Sequence, residues 1–378
     1  MAELQHNVRM PPPKSLLMYL VRMGSFTSGQ KFLNEDTEDN NLDIPEHASR
    51  EQLLNRCNEE LAHLPPLIKR SFHTLHGPPD SSQEVGTEDI PSCGPEAIRV
   101  MQWNILSQSL GQKHDNFVAC PEEALDWRTR RWKMLEEILI YKADILCFQE
   151  VDHFNFLKKT LGALDFSGTF FPKPDSPCYY IKGNNGPDGC AIFYNTNKFE
   201  LIRTETRVLE VCTCQSNQVV ILCIFRRKLD GREFCVATTH LKARQGTLLA
   251  TLRNEQGKDL LEFIQEHYDG RPVVIAGDFN AEPTEPVYRT MTTCLEPRLD
   301  SAYAYYSNRY GEPPYTTWKI REEGEFCQTL DYIFFRKDSL ELESLLNLPR
   351  EEDIGEDRAP SFRYPSDHFS LVCDFCFK

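Results

Sequence analysis

In the stretch Val273-Val-Ile-Ala-Gly-Asp-Phe-Asn280, Asp278 and Asn280 stand two apart, directly after a run of apolar, mostly β-branched residues. Such a run reads as a strand buried on both faces. A carboxylate can hold a metal or take a proton, and a carboxamide can orient an oxygen. Both stand at the mouth of this expected strand, where Glu282, Pro283 and Thr284 turn the chain into a loop. The arrangement recurs along the chain. Ile98-Arg-Val-Met-Gln-Trp-Asn104 alternates and ends in Asn104, and Asp144-Ile-Leu-Cys-Phe-Gln149 runs into Glu150. Glu233-Phe-Cys-Val-Ala-Thr-Thr239 runs into His240, Asp331 lies near the start of an expected strand over 330–335, and Asp367 with His368 precedes the last one. A single Asp or Asn after a strand is more often a turn former or a helix cap. Six strand ends carrying Asn, Glu, His and Asp predict one converging pocket, because ligands of α/β sheets collect at strand ends.

The chemistry of the set is that of hard ligands and proton carriers. No serine or cysteine sits in a nucleophile-elbow motif, and no His-Cys spacing suits zinc. Carboxylates and carboxamides suit Mg²⁺ or Mn²⁺, which keep several waters and contact phosphates. A carboxylate-held metal beside a histidine–aspartate pair is a recipe for attack by water on a phosphate ester. His240, Lys242 and Arg244 alternate, so they share a face if their strand continues. Lys173, in Phe170-Phe-Pro-Lys-Pro174, is expected to approach the same pocket. Such a cationic cluster beside a metal suits a compact, multiply charged phosphate. Asp152 and His153 follow a functional strand end and read as its solvated neighbours.

The elements that must position these residues alternate from Ile98 onward. Helices are expected over 122–141, with Leu135, Ile138 and Leu139 on one face, and over 248–268; a hairpin is expected about Asp230-Gly231. Residues 1–95 differ in texture and read as a largely disordered extension before a catalytic domain over 96–378. Pro11-Pro12-Pro13 and the acidic run Glu35–Asp39 favour disorder, and the Pro-, Gly- and Ser-rich stretch 74–95 reads as a linker. One helix is expected over about 49–64, where Ser49 and Gln52 have capping-box spacing and Pro65-Pro66 ends it. An internal start at Met23 would expose Gly24 in an N-myristoylation pattern, and the apolar stretch 16–21 beside Lys14 and Arg22 resembles a weak targeting peptide. The expected location is therefore cytoplasmic, with a mitochondrial or perinuclear membrane-associated form.

The whole chain narrows the classes further. Its net charge is −15, from 42 basic and 57 acidic residues, which disfavours a long polymeric nucleic acid as ligand. Its 14 cysteines are scattered through 378 residues, as expected of reduced thiols. The Cys373-x-x-Cys376 pair falls in an expected strand, where residues three apart point to opposite faces. No stretch reaches the roughly 18 apolar residues of a membrane span.

The motifs MQWNIL, CFQEVD, DGCAIFY, TTHLKAR, GDFNAEP, TLDYIFF and YPSDHFSL occur in that order. Over residues 97–378 they resemble the endonuclease/exonuclease/phosphatase superfamily, in its deadenylase-like branch. The resemblance implies an α/β fold, a four-layer α/β/β/α sandwich of two packed mixed sheets flanked by helices, and a Mg²⁺-dependent phosphoesterase. It makes Glu150 the principal metal ligand, with Asn104 beside it and Asp367 either completing the metal site or supporting its ligands from behind. It gives Asp278 the attacking water, Asn280 the orientation of the phosphate, and Asp331 the orientation of His368. His368 and His240 would stabilise charge on the phosphoryl oxygens. The motifs NNGPDGCA, FFPKP, THLKAR, GDFNAEPTE and PPYTTWKIR are most similar to a group within the branch for which removal of the 2′-phosphate of NADP⁺ and NADPH is implied, with Lys173, Lys242 and Arg244 as substrate contacts. The alternative is a poly(A)-specific 3′-exoribonuclease acting on RNA. It would need Phe170, Phe171, Tyr179, Tyr180, Tyr315 and Trp318, placed in expected loops, to stack bases.

Overall fold

The apolar runs fold into two mixed sheets that face each other. In chain order the strands are β1 (Phe72–Thr74), β2 (Ile98–Asn104), β3 (Ile145–Val151), β4 (Phe166–Pro172), β5 (Gly189–Asn195), β6 (Phe199–Val211), β7 (Cys214–Arg227) and β8 (Glu233–His240). They continue as β9 (Val273–Asp278), β10 (Leu299–Ser301), β11 (Thr317–Arg321), β12 (Gly324–Gln328), β13 (Asp331–Arg336), β14 (Leu340–Leu346) and β15 (Leu371–Phe377). The first sheet has the order β1-β14-β15-β2-β3-β5-β4, the second β10-β13-β9-β8-β7-β6, and β11 with β12 forms a separate ribbon. This computed structural model describes residues 39, 42–75, 94, 96–113, 115–306 and 311–378.

The second sheet shows why its strands are apolar throughout. Val219, Ile221, Cys223, Val236, Val274 and Ala276 join the core between the sheets. The alternate residues Val220, Leu222, Ile224, Cys235, Ala237 and Ile275 pack instead with Leu260, Phe263 and Ile264 of the helix Thr247–His267. Both faces are covered, so neither carries the polar alternation of a one-sided sheet. On the first sheet's side, the helices Arg50–Glu60, Trp127–Tyr141 and Phe154–Gly162 contribute Leu53, Cys57, Leu135, Ile138, Phe156 and Leu157 to the core. Helices thus flank two packed sheets, as the four-layer expectation required.

Strand order brings the chemistry-bearing ends together. β2 and β3 run parallel, with Asn104 opposite Gln149. β8 and β9 also run parallel, with His240 opposite Asp278. β13 runs antiparallel to β9, so its first residue, Asp331, lies opposite the last residue of β9, Asp278. Gly277 is required by this closeness, since a Cβ there would lie 2.3 Å from the Thr239 carbonyl oxygen.

Several elements differ from expectation. The helix expected over 122–141 is broken at Asp126, whose extended backbone and carboxylate cap Trp127–Tyr141 through a 2.8 Å bond from the Arg128 amide. β9 does not stop at Gly277 but runs through Asp278. Strands β4 and β6 were not expected; β4 takes in Phe170 and Phe171. The helix expected over about 49–64 is Arg50–Glu60, with both capping-box bonds formed between Ser49 and Gln52. The described part of the extension is not separate from the catalytic fold. β1 pairs with β14, and Arg70 forms an ion pair with Glu137 inside the core. Met23, Gly24, the acidic run before Asp39 and residues 76–93 of the linker lie outside the described residues. Cys373 is buried in β15, Cys376 is partly exposed, and both thiols are free. Among the described residues no helix is long and apolar enough to cross a membrane.

Candidate active site

Asn104 ties the two sheets together at their common end. Its side-chain nitrogen donates to Glu150 Oε1 and to Asp278 Oδ2, each at 3.0 Å, while its oxygen accepts from the Leu106 amide. Glu150 lies in a bulge of β3 with a φ of 56°, left-handed backbone that side-chain-bearing residues seldom adopt. The bulge turns its carboxylate into the pocket, where Oε2 also accepts from the Ser107 amide at 3.1 Å. Asn280 likewise has a positive φ of 49°. Its backbone amide donates to Asp278 Oδ1 at 2.8 Å.

The histidines divide in charge. His368 Nδ1 lies 2.8 Å from Asp331 Oδ2, and its Nε2 lies 3.7 Å from Asp278 Oδ2. Burial disfavours its cation, but Asp331 and Asp367 outweigh burial and push its pKa up to about 9. His240 goes the other way. Burial and then the Lys173 ammonium, 3.5 Å from Nδ1, hold it well below the ordinary histidine range. Burial and Lys173 thus favour the neutral form of His240. The Asn280 side-chain nitrogen spends its hydrogens on His240 Nε2 at 2.9 Å and the Leu241 carbonyl at 3.0 Å. In this arrangement Asn280 orients His240 rather than pointing a free donor at the pocket.

The carboxylates divide as well. Asp331 is saturated: Gln102 donates to Oδ1 at 3.0 Å and Thr316 to Oδ2 at 2.6 Å, beside His368. Burial and Asp331 raise Asp278, partly offset by His368, to about 6, so it is mostly ionised at neutral pH. Asp367 faces three cations. Its Oδ2 lies 2.5 Å from Lys319 Nζ, 3.5 Å from Arg321 and 3.7 Å from His368 Nε2. Lys319, His368 and Arg321 outweigh burial and hold it far below the ordinary range. Asp367 is thus already neutralised by three cations of the chain. Glu150 has no cation within ion-pair distance among the described residues. Burial, then the nearby Asp115, push it up to about 7.

That contrast decides where a metal fits. One oxygen or nitrogen each of Asp278, Asp331 and His368 lies within 4.8 Å of the others. Within that trio Asp331 already accepts from Gln102 and Thr316 and lies beside His368 Nδ1. The uncompensated carboxylate is Glu150. A hard divalent ion against it would supply the missing positive charge.

The expected substrate cations are only partly as foreseen. β8 ends at His240, so Lys242 and Arg244 do not continue its face. Lys242 is partly buried and Arg244 exposed, on a loop where Arg244 has a φ of 79°. Burial, then Lys173 and Arg244, depress the Lys242 pKa. Lys173 is buried and held by Asp188 Oδ2 at 2.5 Å. Asp152 and His153 are not solvated. They form a buried pair at 2.8 Å, with the His153 ring stacked 3.7 Å from Trp127. Phe170 stacks on Phe154, and Trp318 is buried under the Arg358 guanidinium. Trp318 is thus covered, whereas Phe170 is only partly buried and Tyr180 is exposed. Lys319, Arg321 and Asp188 were missed as site residues, although the motifs PPYTTWKIR and NNGPDGCA contain them.

Residues 101–368 match the Endonuclease/Exonuclease/phosphatase family, and the chain belongs to that family of phosphoric-ester hydrolases. Relatives in it include nocturnins. It is 49% identical over 395 residues to Nocturnin of Drosophila melanogaster, covering 96% of this chain and 62% of that protein. It is 48% identical over 340 residues to Nocturnin of Homo sapiens, covering 88% of this chain and 75% of that protein. The chain therefore spans somewhat under two thirds of the Drosophila relative's length. Among solved structures, it is similar to the human Nocturnin catalytic domain with bound sulfate anion. The TM-score is 0.67 and the identity 42%, covering 83% of this chain and 100% of that one.

Proposed function

We propose that this protein is a Mg²⁺-dependent phosphatase that removes the 2′-phosphate of NADP⁺ and NADPH, giving NAD⁺ and NADH. The observation that supports the reading is a buried carboxylate, Glu150, hydrogen-bonded only by the neutral Asn104 and Ser107 donors, in a pocket flanked by the loop that carries Lys242 and Arg244. Two cations on that loop suit a dinucleotide that bears a phosphomonoester and a pyrophosphate. Mg²⁺, or Mn²⁺ in its place, is held by Glu150 with Asn104 beside it, and supplies Lewis-acid stabilisation of negative charge on the phosphate. Asp278, ionised at neutral pH, positions the attacking water and takes its proton. His368, kept cationic by Asp331, faces the phosphoryl oxygens as charge accumulates there. Asn280 holds the neutral His240 ring in place and, through its backbone amide, fixes Asp278. The location proposed is cytoplasmic, with a mitochondrial form where the stretch 14–22 acts as a targeting peptide, or a membrane-associated form where a start at Met23 exposes Gly24 to lipidation.

Arg244 tests the substrate. Losing one charge-assisted contact of about 1.5–3 kcal/mol raises KM roughly 10- to 100-fold. Arg244→Ala is expected to do so for NADPH while leaving KM for a simple phosphomonoester nearly unchanged. Equal effects on both substrates would remove Arg244 from dinucleotide recognition.

A further inference from the structure

The loop 364–370 carries Asp367 and His368 into the pocket, and both of its ends fasten to one buried carboxylate. Glu137 Oε1, on the helix Trp127–Tyr141, accepts from the Tyr364 hydroxyl at 3.0 Å, from Ser370 Oγ at 2.8 Å and from the Arg70 guanidinium. The Ser370 amide closes the loop on the Tyr364 oxygen at 2.9 Å. Arg70 also holds Ser370 directly: Nη1 donates to its carbonyl at 2.8 Å and Nη2 to its Oγ at 2.5 Å. We infer that Arg70 is a positioning residue for the reaction, setting through Ser370 and Glu137 where the loop holds His368 against Asp331 and Asp278. The inference rests on the proposed role of His368 at the phosphoryl oxygens. Arg70 precedes residue 101, where the match to the family begins, so the segment 67–74 serves the catalytic unit from outside that match.

A buried ion pair adds little net stability over apolar side chains of the same volume, because desolvation offsets the attraction. What Arg70 and Glu137 supply here is direction. The Arg70 guanidinium lies 5.1 Å from the ring centroid of Tyr141 and 5.9 Å from that of Tyr364, and its backbone amide donates to the Tyr141 hydroxyl at 3.0 Å. The Ile68 amide donates to the Arg363 carbonyl at 3.2 Å, so the same segment borders the start of the loop. His368 stands two residues before Ser370. Its carbonyl accepts from Trp103 Nε1 at 2.7 Å and its amide donates to Ser366 Oγ at 3.2 Å. A backbone tied on both sides of His368 has little slack, so a slip at Ser370 is passed to the ring. A displacement of about 1 Å at a reacting group can cost about 10²-fold in rate.

The test is the split between kcat and KM for NADPH in the full chain. Arg70→Met/Glu137→Met puts apolar side chains in place of the pair, and is expected to melt near the wild type while its kcat falls about 10²-fold. Its KM should stay near the wild-type value, because Lys242 and Arg244 lie on another loop. Ser370→Ala removes the hydroxyl that joins Arg70 to Glu137; it should lower kcat in the same KM-neutral way, and it serves if the double variant does not fold. A folded variant with wild-type kcat would overturn the inference, as would a raised KM at unchanged kcat. A second readout needs no substrate. The ring N–H of His368, 2.8 Å from Asp331, is followed by proton magnetic resonance and identified by its loss in His368→Gln. It is expected to shift or broaden in the same variants, and an unmoved resonance would overturn the inference. A wild type that releases no phosphate from NADPH would instead overturn the proposed substrate, and the resonance would then decide the role of Arg70.

Discussion

Glu150→Gln should stabilise the metal-free protein, and increasingly so as the pH rises. Glutamine copies the shape of the protonated acid, so at pH 4.5 the variant and the wild type should differ little. Glu150 has its folded pKa raised from 4.5 to about 7. A carboxyl so raised binds its proton more tightly folded than unfolded. Its ionisation then costs the folded state progressively between those two values, and the full cost applies above pH 7. At about 1.36 kcal/mol per pH unit, the cost reaches about 3 kcal/mol. For a domain of this size that is roughly 5 °C in Tm. The assay is a series of thermal melts from pH 4.5 to 8 in chelator. The advantage of Glu150→Gln should grow across that window and level off above pH 7. With Mg²⁺ at about 100 times its Kd, the wild type should regain about 2.7 kcal/mol and the advantage should nearly vanish. An advantage independent of pH would mean that Glu150 titrates like a surface acid, and the physical case for a metal there would fall.

Asp331→Asn removes the charge that holds His368 cationic. It should lower kcat about 10²- to 10⁴-fold. It should also move the alkaline limb of the kcat–pH profile down from about 9 toward 6.5, since the protonated imidazole is the competent form; an unmoved limb would separate His368 from that limb. Gly277→Ala places a Cβ 2.3 Å from the Thr239 oxygen and should cost about 3 kcal/mol or more, read from the urea midpoint. Arg70→Ala leaves Glu137 buried and unpaired and should cost about 3–5 kcal/mol, whereas replacing both by apolar residues of similar volume should recover most of the loss. Equal instability of the single and double variants would show that the ion pair is not what Arg70 contributes.

The six polar strand ends were legible because each is local: an apolar run of strand length, then one Asp, Asn, Glu or His. Their convergence follows from the parallel pairs β2–β3 and β8–β9 and from the antiparallel β13, which begins where β9 ends. The charge state of the site was not legible. It depends on Lys319 meeting Asp367 48 residues away and on Lys173 meeting Asp188, and no local pattern carries such pairings. The bulge at Glu150 was hidden for a similar reason, since CFQEVD reads as a plain strand and only the register against β5 exposes the extra residues. The break at Asp126 could have been found, because Asp is a favoured helix N-cap. Arg70 was lost to the view of residues 1–95 as one tail, while the chain threads that residue into the core beneath Tyr141 and Tyr364.

The most direct measurement is a paired assay of the full chain in Mg²⁺, with Glu150→Ala as the control in both arms. One arm supplies NADPH and follows free phosphate; the other supplies 5′-labelled poly(A) and follows shortening. Phosphate release without shortening, abolished in Glu150→Ala, is the predicted result. Shortening of poly(A) without phosphate release would contradict it and turn Lys173, Lys242 and Arg244 into contacts for an RNA backbone.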